Sequence, residues 1–219
     1  MNIVETQRCW RCGQNHPVAL FCLQCNALQL LPPQVDYFQV LGLPHSPVVD
    51  ENLLQQRYYE LSRRLHPDLY QTGTTEEQEA SLKNTALLNR AYRTLRDLVQ
   101  RGQYWLELQG EELGRDNKRV PPALAELVFA VQEKLAEMRE KRQQKKEQET
   151  AAELASICTD LHAQMEPLRK ALVDNLAQWG THPCDARLLT QLKTLLSEIA
   201  YLRTLIRDVE KESDPLWNA

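Results

Sequence analysis

The sequence predicts an all-α protein that carries a small cysteine-rich ribbon at its N-terminus. Apolar residues recur at intervals of three and four along most of the 219-residue chain, while strand-type alternation is scarce. Two pairs of cysteines lie within the first thirty residues. We therefore expect a tetracysteine metal ribbon over residues 1–33, an antiparallel helical hairpin with a short additional helix over residues 34–110, and a three-helix bundle over residues 120–215.

Composition and charge exclude several classes of protein. The formal net charge is −4 and the pI is about 5.8, so a nucleic acid is not expected as a general partner. The longest uncharged apolar run is far shorter than a membrane span, so no membrane partner is expected. The first residues include Glu5 and lack both an apolar core and a serine- and arginine-rich run, so neither a signal peptide nor an organellar presequence is expected in them. A cytoplasmic setting fits best, or the mitochondrial matrix in a eukaryotic host, and there six cysteines indicate metal rather than disulfides.

The first candidate site consists of two matched cysteine pairs, Cys9 with Cys12 and Cys22 with Cys25. Each C-x-x-C turn aims two thiolates at one point, so two turns supply the four ligands of a tetrahedral ion. A segment this short cannot bury a core of its own, and a metal would supply most of its folding free energy. Structural zinc is the favoured interpretation. A redox pair, a disulfide pair and a rubredoxin-type iron site are the alternatives.

The helical hairpin follows a linker at residues 28–33 and a short helix at residues 36–43. The apolar face of its first helix comprises Leu54, Tyr58, Leu61 and Leu65. A residue before proline is pushed out of the helical region, so His66 ends this helix and Pro67 fixes the backbone after it. Asp68 is thereby presented as an exposed carboxylate.

The second hairpin helix begins at a capping box, formed by Thr74 with Glu77 or by Thr75 with Gln78. Its apolar face comprises Leu88, Ala91, Tyr92, Leu95 and Val99. Two such helices joined by a loop of about ten residues are expected to pack antiparallel. The tripeptide His-Pro-Asp then lies at the tip of the hairpin.

Three further amphipathic segments predict the C-terminal bundle, after a short helix at residues 101–110 that ends at Gly110. Their apolar faces comprise Leu124, Leu127 or Val128, Val131, Leu135 and Met138; Leu154, Ile157, Leu161, Met165, Leu168, Leu172 and Leu176; and Leu188, Leu192, Leu195, Ile199, Leu202, Ile206 and Val209. Pro167 is expected to kink or break the second helix. The mixed charge run at residues 139–149 indicates a solvated helix end or turn. None of the three helices is stable alone, and together they bury one core.

These elements together resemble a J domain, the module that stimulates ATP hydrolysis by DnaK-type chaperones. They are the short helix, the first hairpin helix with its arginines Arg57, Arg63 and Arg64 (the arginine-bearing helix), the tripeptide and the second hairpin helix. With the segment after the hairpin, the bundle and the cysteine ribbon, the chain resembles iron–sulfur co-chaperones of the HscB/Jac type. The resemblance covers residues 36 to about 212. It implies a J-type co-chaperone that stimulates the ATPase of a DnaK/HscA-type chaperone and delivers an IscU-type cluster scaffold to it. A J protein for another client and a zinc-dependent interaction adaptor are the alternatives.

The resemblance implies that six residues bind the chaperone: His66, Pro67, Asp68, Arg57, Arg63 and Arg64. The arginines would dock on an acidic groove, and Asp68 would accept a charge-assisted bond from a chaperone arginine. His66 and Pro67 would hold that carboxylate in register. Glu51 and Glu60 reduce the net charge of the arginine-bearing helix to about +1, which makes it less basic than in general-purpose J proteins.

The resemblance also implies four scaffold-binding residues on the bundle: Leu124, Phe129, Glu133 and Tyr201. The alternative is that Leu124 and Phe129 are core residues. Phe129 falls off the apolar face of its helix, which favours exposure. Ala125 and Ala130 stand where relatives carry a larger apolar residue and an acidic residue, so this surface differs in detail from theirs.

Nothing in the sequence indicates a catalytic site, because it shows no nucleophile–base arrangement, phosphate loop or acidic metal cluster. We therefore expect a non-enzyme, a monomer or weak dimer, that acts on the ATPase of its partner. Cys158 is expected to be a small buried apolar group, and Cys184 has no assigned role. His16, His45 and His182 are expected in loops.

Overall fold

The computed structural model describes residues 6–113, 120–143, 147–179 and 185–213. Outside one two-stranded sheet, the regular structure of this part of the chain is helical, which confirms the predicted all-α class with an N-terminal ribbon. The chain divides into two compact units, Met1–Arg101 and Gly102–Ala219. Of the helices in the described ranges, none has both the length and the apolar character needed to cross a membrane. His182 and Cys184 lie outside the described residues.

The sheet lies in the N-terminal ribbon. Strands β1 (Thr6–Arg8) and β2 (Asn15–Pro17) pair antiparallel, and an isolated bridge joins Phe21 to Leu28. His16 is buried at the centre of β2, so the prediction that it lies in a loop is wrong. Strands of three residues are too short to show a period-two pattern in the sequence.

Residues 28–33, predicted to form a linker, are packed against the hairpin. Gln29 and Leu31 are buried. The Asn84 side chain donates from Nδ2 to the Gln29 carbonyl oxygen at 2.7 Å, and its Oδ1 accepts from the Leu31 N–H at 3.2 Å. A buried amide therefore satisfies two backbone polar groups of this segment, which helps it to leave water. The segment connects the ribbon to α1 as predicted, and it does so as a packed stretch of chain.

The short helix and the first hairpin helix agree with the prediction. Helix α1 (Tyr37–Leu41) is capped by Asp36, and helix α2 (Glu51–Leu65) is capped by Asp50, whose side chains accept backbone N–H bonds of the first turn. His66 follows α2 with ψ 128°, outside the helical region. The residue before the proline therefore ends this helix as expected.

Helix α3 (Thr75–Arg96) begins at the predicted capping box, in which Thr74 and Glu77 bond each other's backbone N–H groups. It contacts α2 along the apolar faces of both helices. The rings of Tyr58 and Tyr92 stack across this contact, with centroids 4.0 Å apart and planes 15° from parallel.

Helix α3 ends earlier than the apolar pattern predicts. Asp97 has an extended backbone, and its Oδ1 accepts bonds from the N–H groups of Val99 and Gln100 at 3.0 and 2.8 Å. Asp97 thus ends one helix and caps the next, α4 (Leu98–Leu108), to which Val99 belongs. The chain after α4 turns at Gly110 in the left-handed region, as predicted, with φ +77°.

Helices α5 (Ala125–Gln143), α6 (Glu147–Gln178) and α7 (Ala186–Ser213) correspond to the three predicted bundle segments. Helix α6 continues through Pro167, so a break there is wrong. The one backbone donor that proline lacks is outweighed by buried packing on both sides. The centre of the predicted charge run, residues 144–146, lies outside the described residues.

The predicted bundle faces are buried with three exceptions, Leu127, Leu168 and Leu195, which are half-buried. On α7 the core position belongs to Leu196 rather than Leu195. Leu196 packs closely against Gly102 of α4, where an added Cβ would lie 3.2 Å from Leu196 Cδ2. A glycine at that point lets α4 pack directly on the bundle leucines.

Candidate functional site

The tripeptide lies at the tip of the hairpin formed by α2 and α3. His66 is followed by a 3-10 helix, Pro67–Tyr70. The His66 Nδ1 accepts a bond from the Asp68 N–H at 3.3 Å, and Gln71 Nε2 donates to Asp68 Oδ1 at 3.2 Å. The Asp68 side chain is nevertheless 70% exposed. The three residues are thus brought together, and the carboxylate is displayed in water as the sequence predicts.

Polar side chains fasten the end of α2 below the tripeptide. The Ser81 hydroxyl donates to the Leu65 carbonyl oxygen at 2.6 Å, and the Thr85 hydroxyl donates to the same oxygen at 3.2 Å. The Tyr70 hydroxyl donates to the Arg64 carbonyl oxygen at 2.9 Å. Two of the carbonyl groups that a helix end leaves without intrahelical partners are therefore satisfied from outside.

The loop is also fastened where it enters α3. Gln78 Nε2 donates to the carbonyl oxygens of Gln71 and Gly73, both at 3.1 Å. A Cβ at Gly73 would lie 2.7 Å from the capping carboxylate of Glu77 and 3.2 Å from the Tyr70 carbonyl oxygen, so a side chain here would displace the cap. Burial and the Glu77 carboxylate raise the pKa of Tyr70, which keeps its hydroxyl a donor. The tripeptide is held at both ends.

Two buried polar residues of α3 were not predicted from the sequence, although a signal was present: Ser81, which supports the end of α2, and Asn84, which holds residues 29 and 31. Continuing the apolar face of α3 backward from Leu88 by four and seven residues reaches both positions. Both are buried. A polar residue at a predicted core position indicates a buried hydrogen bond.

The three arginines of α2 are exposed, but they differ in their surroundings. Arg57 Nη1 lies 3.3 Å from Glu60 Oε2, so a neighbouring carboxylate partly offsets its charge. Arg63 points to solvent. Arg64 places its Cζ 3.9 Å from the ring centroid of Phe21, a residue of the ribbon.

The four predicted metal ligands converge at one point of the ribbon. The Sγ atoms of Cys9 and Cys25 are 3.6 Å apart and those of Cys12 and Cys22 are 3.7 Å apart; all four lie within 4.8 Å of one another. A tetrahedral ion with metal–sulfur bonds of about 2.3 Å holds its ligands about 3.8 Å apart. A disulfide requires about 2.05 Å. The cluster therefore has the spacing of a metal site and not of a disulfide pair.

Hydrogen-bond donors surround two of the sulfurs. Cys9 Sγ accepts bonds from the Cys12 N–H and from Gln29 Nε2, each at 3.4 Å. Cys22 Sγ accepts a bond from the Gln24 N–H at 3.4 Å. Hydrogen bonds donated to the ligand sulfurs stabilise thiolate charge and orient the ligands. Gln29 is a further residue that the cysteine pattern alone did not indicate.

The thiols respond differently to this environment. Burial would raise the pKa of Cys9, but backbone bonds from Cys12 and Arg11 lower it to about 6. A backbone bond from Gln14 favours the Cys12 thiolate, yet burial and the adjoining sulfurs raise the pKa of Cys12 to about 12. Four thiolates this close repel one another, so a bound cation is what permits all four to ionise at neutral pH.

The four predicted scaffold-binding residues differ in how far their side chains are exposed to solvent. Phe129 on α5 is 72% exposed, and Glu133, one turn later, is exposed as well. Tyr201 on α7 is half-buried. Leu124, in the 3-10 helix Pro122–Leu124, is only 7% exposed and belongs to the core. The prediction that Leu124 lies on an exposed scaffold-binding patch is wrong, because its side chain is buried.

The chain is similar to known co-chaperones along nearly its whole length. A family profile for the DnaJ domain matches residues 36–104. Iron-sulfur cluster co-chaperone protein HscB of Homo sapiens is 35% identical over 214 residues, which are 95% of this chain and 83% of that protein. The protein of the same name from Mus musculus is 30% identical over 215 residues, 95% of this chain and 84% of that one. The chain belongs to the HscB family.

A solved HscB structure agrees with this assignment. The crystal structure of human co-chaperone protein HscB is similar with a TM-score of 0.74 and 28% identity, covering 95% of this chain and 100% of that chain. The J domain and the HscB-type resemblance inferred from sequence are therefore confirmed. The HscB proteins named above are co-chaperones by name, and none is named as an enzyme.

Proposed function

We propose that this protein is a J-type co-chaperone that stimulates the ATPase of a DnaK/HscA-type chaperone and delivers an IscU-type iron–sulfur cluster scaffold to it. The observation that carries the proposal is the exposed Asp68 carboxylate at the tip of a helical hairpin in an HscB-family chain. The human and mouse relatives are named as iron-sulfur cluster co-chaperones, which supports the assembly role.

Asp68 makes the decisive contact in this mechanism. Its carboxylate accepts a charge-assisted bond from an arginine of the chaperone. The bond from the Asp68 N–H to His66 fixes the local backbone, and the bond from Gln71 restricts the Asp68 side chain, so less freedom is lost on binding. The co-chaperone lends no catalytic group. It stabilises the hydrolysis-competent conformation of the chaperone by binding it preferentially.

The arginines of α2 guide the docking. An acidic groove on the chaperone attracts them and sets the orientation of the hairpin. Arg57 contributes less because Glu60 lies 3.3 Å away. Arg63 and Arg64 have no carboxylate partner among the described side chains, so they carry most of the attraction.

The scaffold binds α5 through Phe129, with Glu133 beside it and Tyr201 as the aromatic contribution of α7. Phe129 and Glu133 are four residues apart and therefore share a helical face. An aromatic side chain that is 72% exposed is typical of an interface anchor, and a neighbouring carboxylate supplies the polar rim. Leu124 supports this face from the core and does not contact the scaffold.

Zinc is the metal that best suits the ribbon. Cys9, Cys12, Cys22 and Cys25 fill all four positions of a tetrahedral ion. With no position left for water or substrate, the ion supplies folding free energy and no chemistry.

Chaperone turnover tests the first half of the proposal. Purified protein should accelerate steady-state ATP hydrolysis by the cognate DnaK/HscA-type chaperone, and His66→Gln should abolish the acceleration. His162→Gln, the same change at an exposed position on α6, serves as the control and should act as wild type. Equal turnover with wild type and His66→Gln would discard the J-protein function and leave an interaction adaptor.

Scaffold capture tests the second half. Immobilised protein should retain an IscU-type scaffold, and Phe129→Ala should lose it. Val173→Ala, which truncates another exposed apolar side chain on α6, is the matched control. Normal ATPase stimulation without any scaffold capture would indicate a J protein that serves a different client.

A further inference from the structure

The ribbon contacts the helix that carries the candidate chaperone-binding arginines. The Arg64 guanidinium carbon lies 3.9 Å from the centroid of the Phe21 ring. At this distance the cation rests on the ring face, where the aromatic quadrupole attracts it. Phe21 is 43 residues from Arg64 in the sequence, and no pattern predicted their contact.

The metal-binding turn fixes the position of Phe21. The Phe21 backbone pairs with Leu28 in an antiparallel bridge. The next residue, Cys22, donates its N–H to the Ala27 carbonyl oxygen at 2.9 Å and accepts from the Asn26 N–H at 2.9 Å. Phe21 thus begins the turn that holds Cys22 in the metal cluster, and its backbone position is tied to that turn.

Arg64 remains available to a partner despite this contact. Its side chain is exposed, and it forms no ion pair with any carboxylate that the structure describes. A guanidinium that lies on a ring face keeps its in-plane N–H groups free to donate. Phe21 therefore orients Arg64 without neutralising it.

The surroundings explain why orientation matters. A cavity of about 220 Å³ lies between the ribbon and α2, lined among others by Leu20, Leu61 and Arg64. Arg64 already lines this cavity, so without the contact to the Phe21 ring its long side chain can distribute its rotamers between the cavity and the solvent. Chaperone binding would then have to restrict the Arg64 rotamers at an entropic cost. In the native protein the contact with Phe21 has already restricted them.

We propose that Phe21 is a positioning residue for chaperone docking: the metal ribbon presents the Arg64 guanidinium, and the ribbon and α2 form one docking surface for an acidic partner. This inference rests on the proposed function. It assigns the ribbon a task that neither Asp68 nor the bundle performs.

The test measures chaperone ATP turnover as a function of co-chaperone concentration. Phe21→Leu, which keeps the apolar volume but removes the ring, should raise the concentration for half-maximal stimulation about two- to five-fold, at unchanged maximal turnover. Phe21→Tyr should restore the wild-type value. Arg64→Ala should raise it at least as much, and the Phe21→Leu, Arg64→Ala double variant should be no worse than Arg64→Ala alone.

Controls keep a structural effect apart from a positioning effect. Leu23→Ala, in the same turn and 70% exposed, should leave stimulation unchanged. Each variant should keep wild-type metal content and thermal midpoint, and in Phe21→Leu the Arg64 Nε–H resonance should lose its ring-current shift. Wild-type stimulation by Phe21→Leu, or additive effects in the double variant, would overturn this inference alone. No stimulation by the wild type would overturn the proposed function and the inference together.

Discussion

Asn84 of α3 donates from its side-chain amide to the carbonyl oxygen of Gln29 at 2.7 Å, and Gln29 donates from its own side chain to Cys9 Sγ at 3.4 Å. Both residues are buried. Two hydrogen bonds thus connect the hairpin that displays the tripeptide with the metal cluster of the ribbon. We expect the ribbon and the hairpin to unfold as one cooperative unit.

Replacing Asn84 by alanine should destabilise this unit by about 2–4 kcal/mol, because the Gln29 carbonyl and the Leu31 N–H lose their partners while buried. Urea unfolding followed by circular dichroism measures the change. Leu82→Ala, at an exposed position on the same helix, should cost far less. Similar losses from both variants would contradict the role of Asn84.

Replacing Gln29 by glutamate should weaken metal binding about 10- to 100-fold, because the donor to Cys9 Sγ becomes a carboxylate beside a thiolate. Competition with a chromogenic chelator measures the affinity. Gln24→Glu adds the same charge at an exposed position of the neighbouring turn and is the matched control. A similar loss in both variants would indicate a general charge effect.

Elemental analysis of the wild type should find one zinc ion per chain. Cys22→Ser should lose the ion, because a hydroxyl replaces one of four thiolates, and the ribbon should lose its protection from proteolysis. Cys158→Ser, at a half-buried position of α6, should keep the ion. Retention of zinc by Cys22→Ser would refute the four-ligand site.

Ser81→Ala should destabilise the hairpin by about 1 kcal/mol, because the Leu65 carbonyl keeps its second donor, Thr85. Thr85→Val should also be mild. The double variant should cost more than the sum of the two, since only then is the carbonyl left without a side-chain donor. Thermal unfolding measures all three, with Thr72→Ala in the exposed loop as the control.

Glu198→Gln should stabilise the protein at pH 7. Burial raises the pKa of Glu198, so the folded state holds its proton at a pH where the unfolded chain has released it. Stability from this group is therefore present below the unfolded pKa and falls as pH rises through the folded pKa. Urea unfolding at pH 5 and pH 7 should show this fall in the wild type and a smaller one in Glu198→Gln. The exposed Glu126→Gln variant should match the wild type.

The sequence by itself determines the helices and the site at the hairpin tip. The apolar spacing around Leu54 and Leu65, the capping box at Thr74 and the proline after His66 each act within a few residues of the chain. Such local features can be predicted from the sequence because the interacting groups are close together along the chain. The metal site formed by the four cysteines can be predicted for a related reason, since binding of a tetrahedral ion requires their paired spacing.

The tertiary structure alone decides which residues support these sites. Phe21 meets Arg64, Asn84 meets Gln29, and Leu124 turns into the core instead of toward solvent. These contacts join residues far apart in the chain, and they depend on how the secondary-structure elements pack against one another. No sequence pattern indicates which distant residue a side chain will contact. The sequence therefore shows that α2 carries three arginines, whereas only the packed fold places an aromatic ring against one of them.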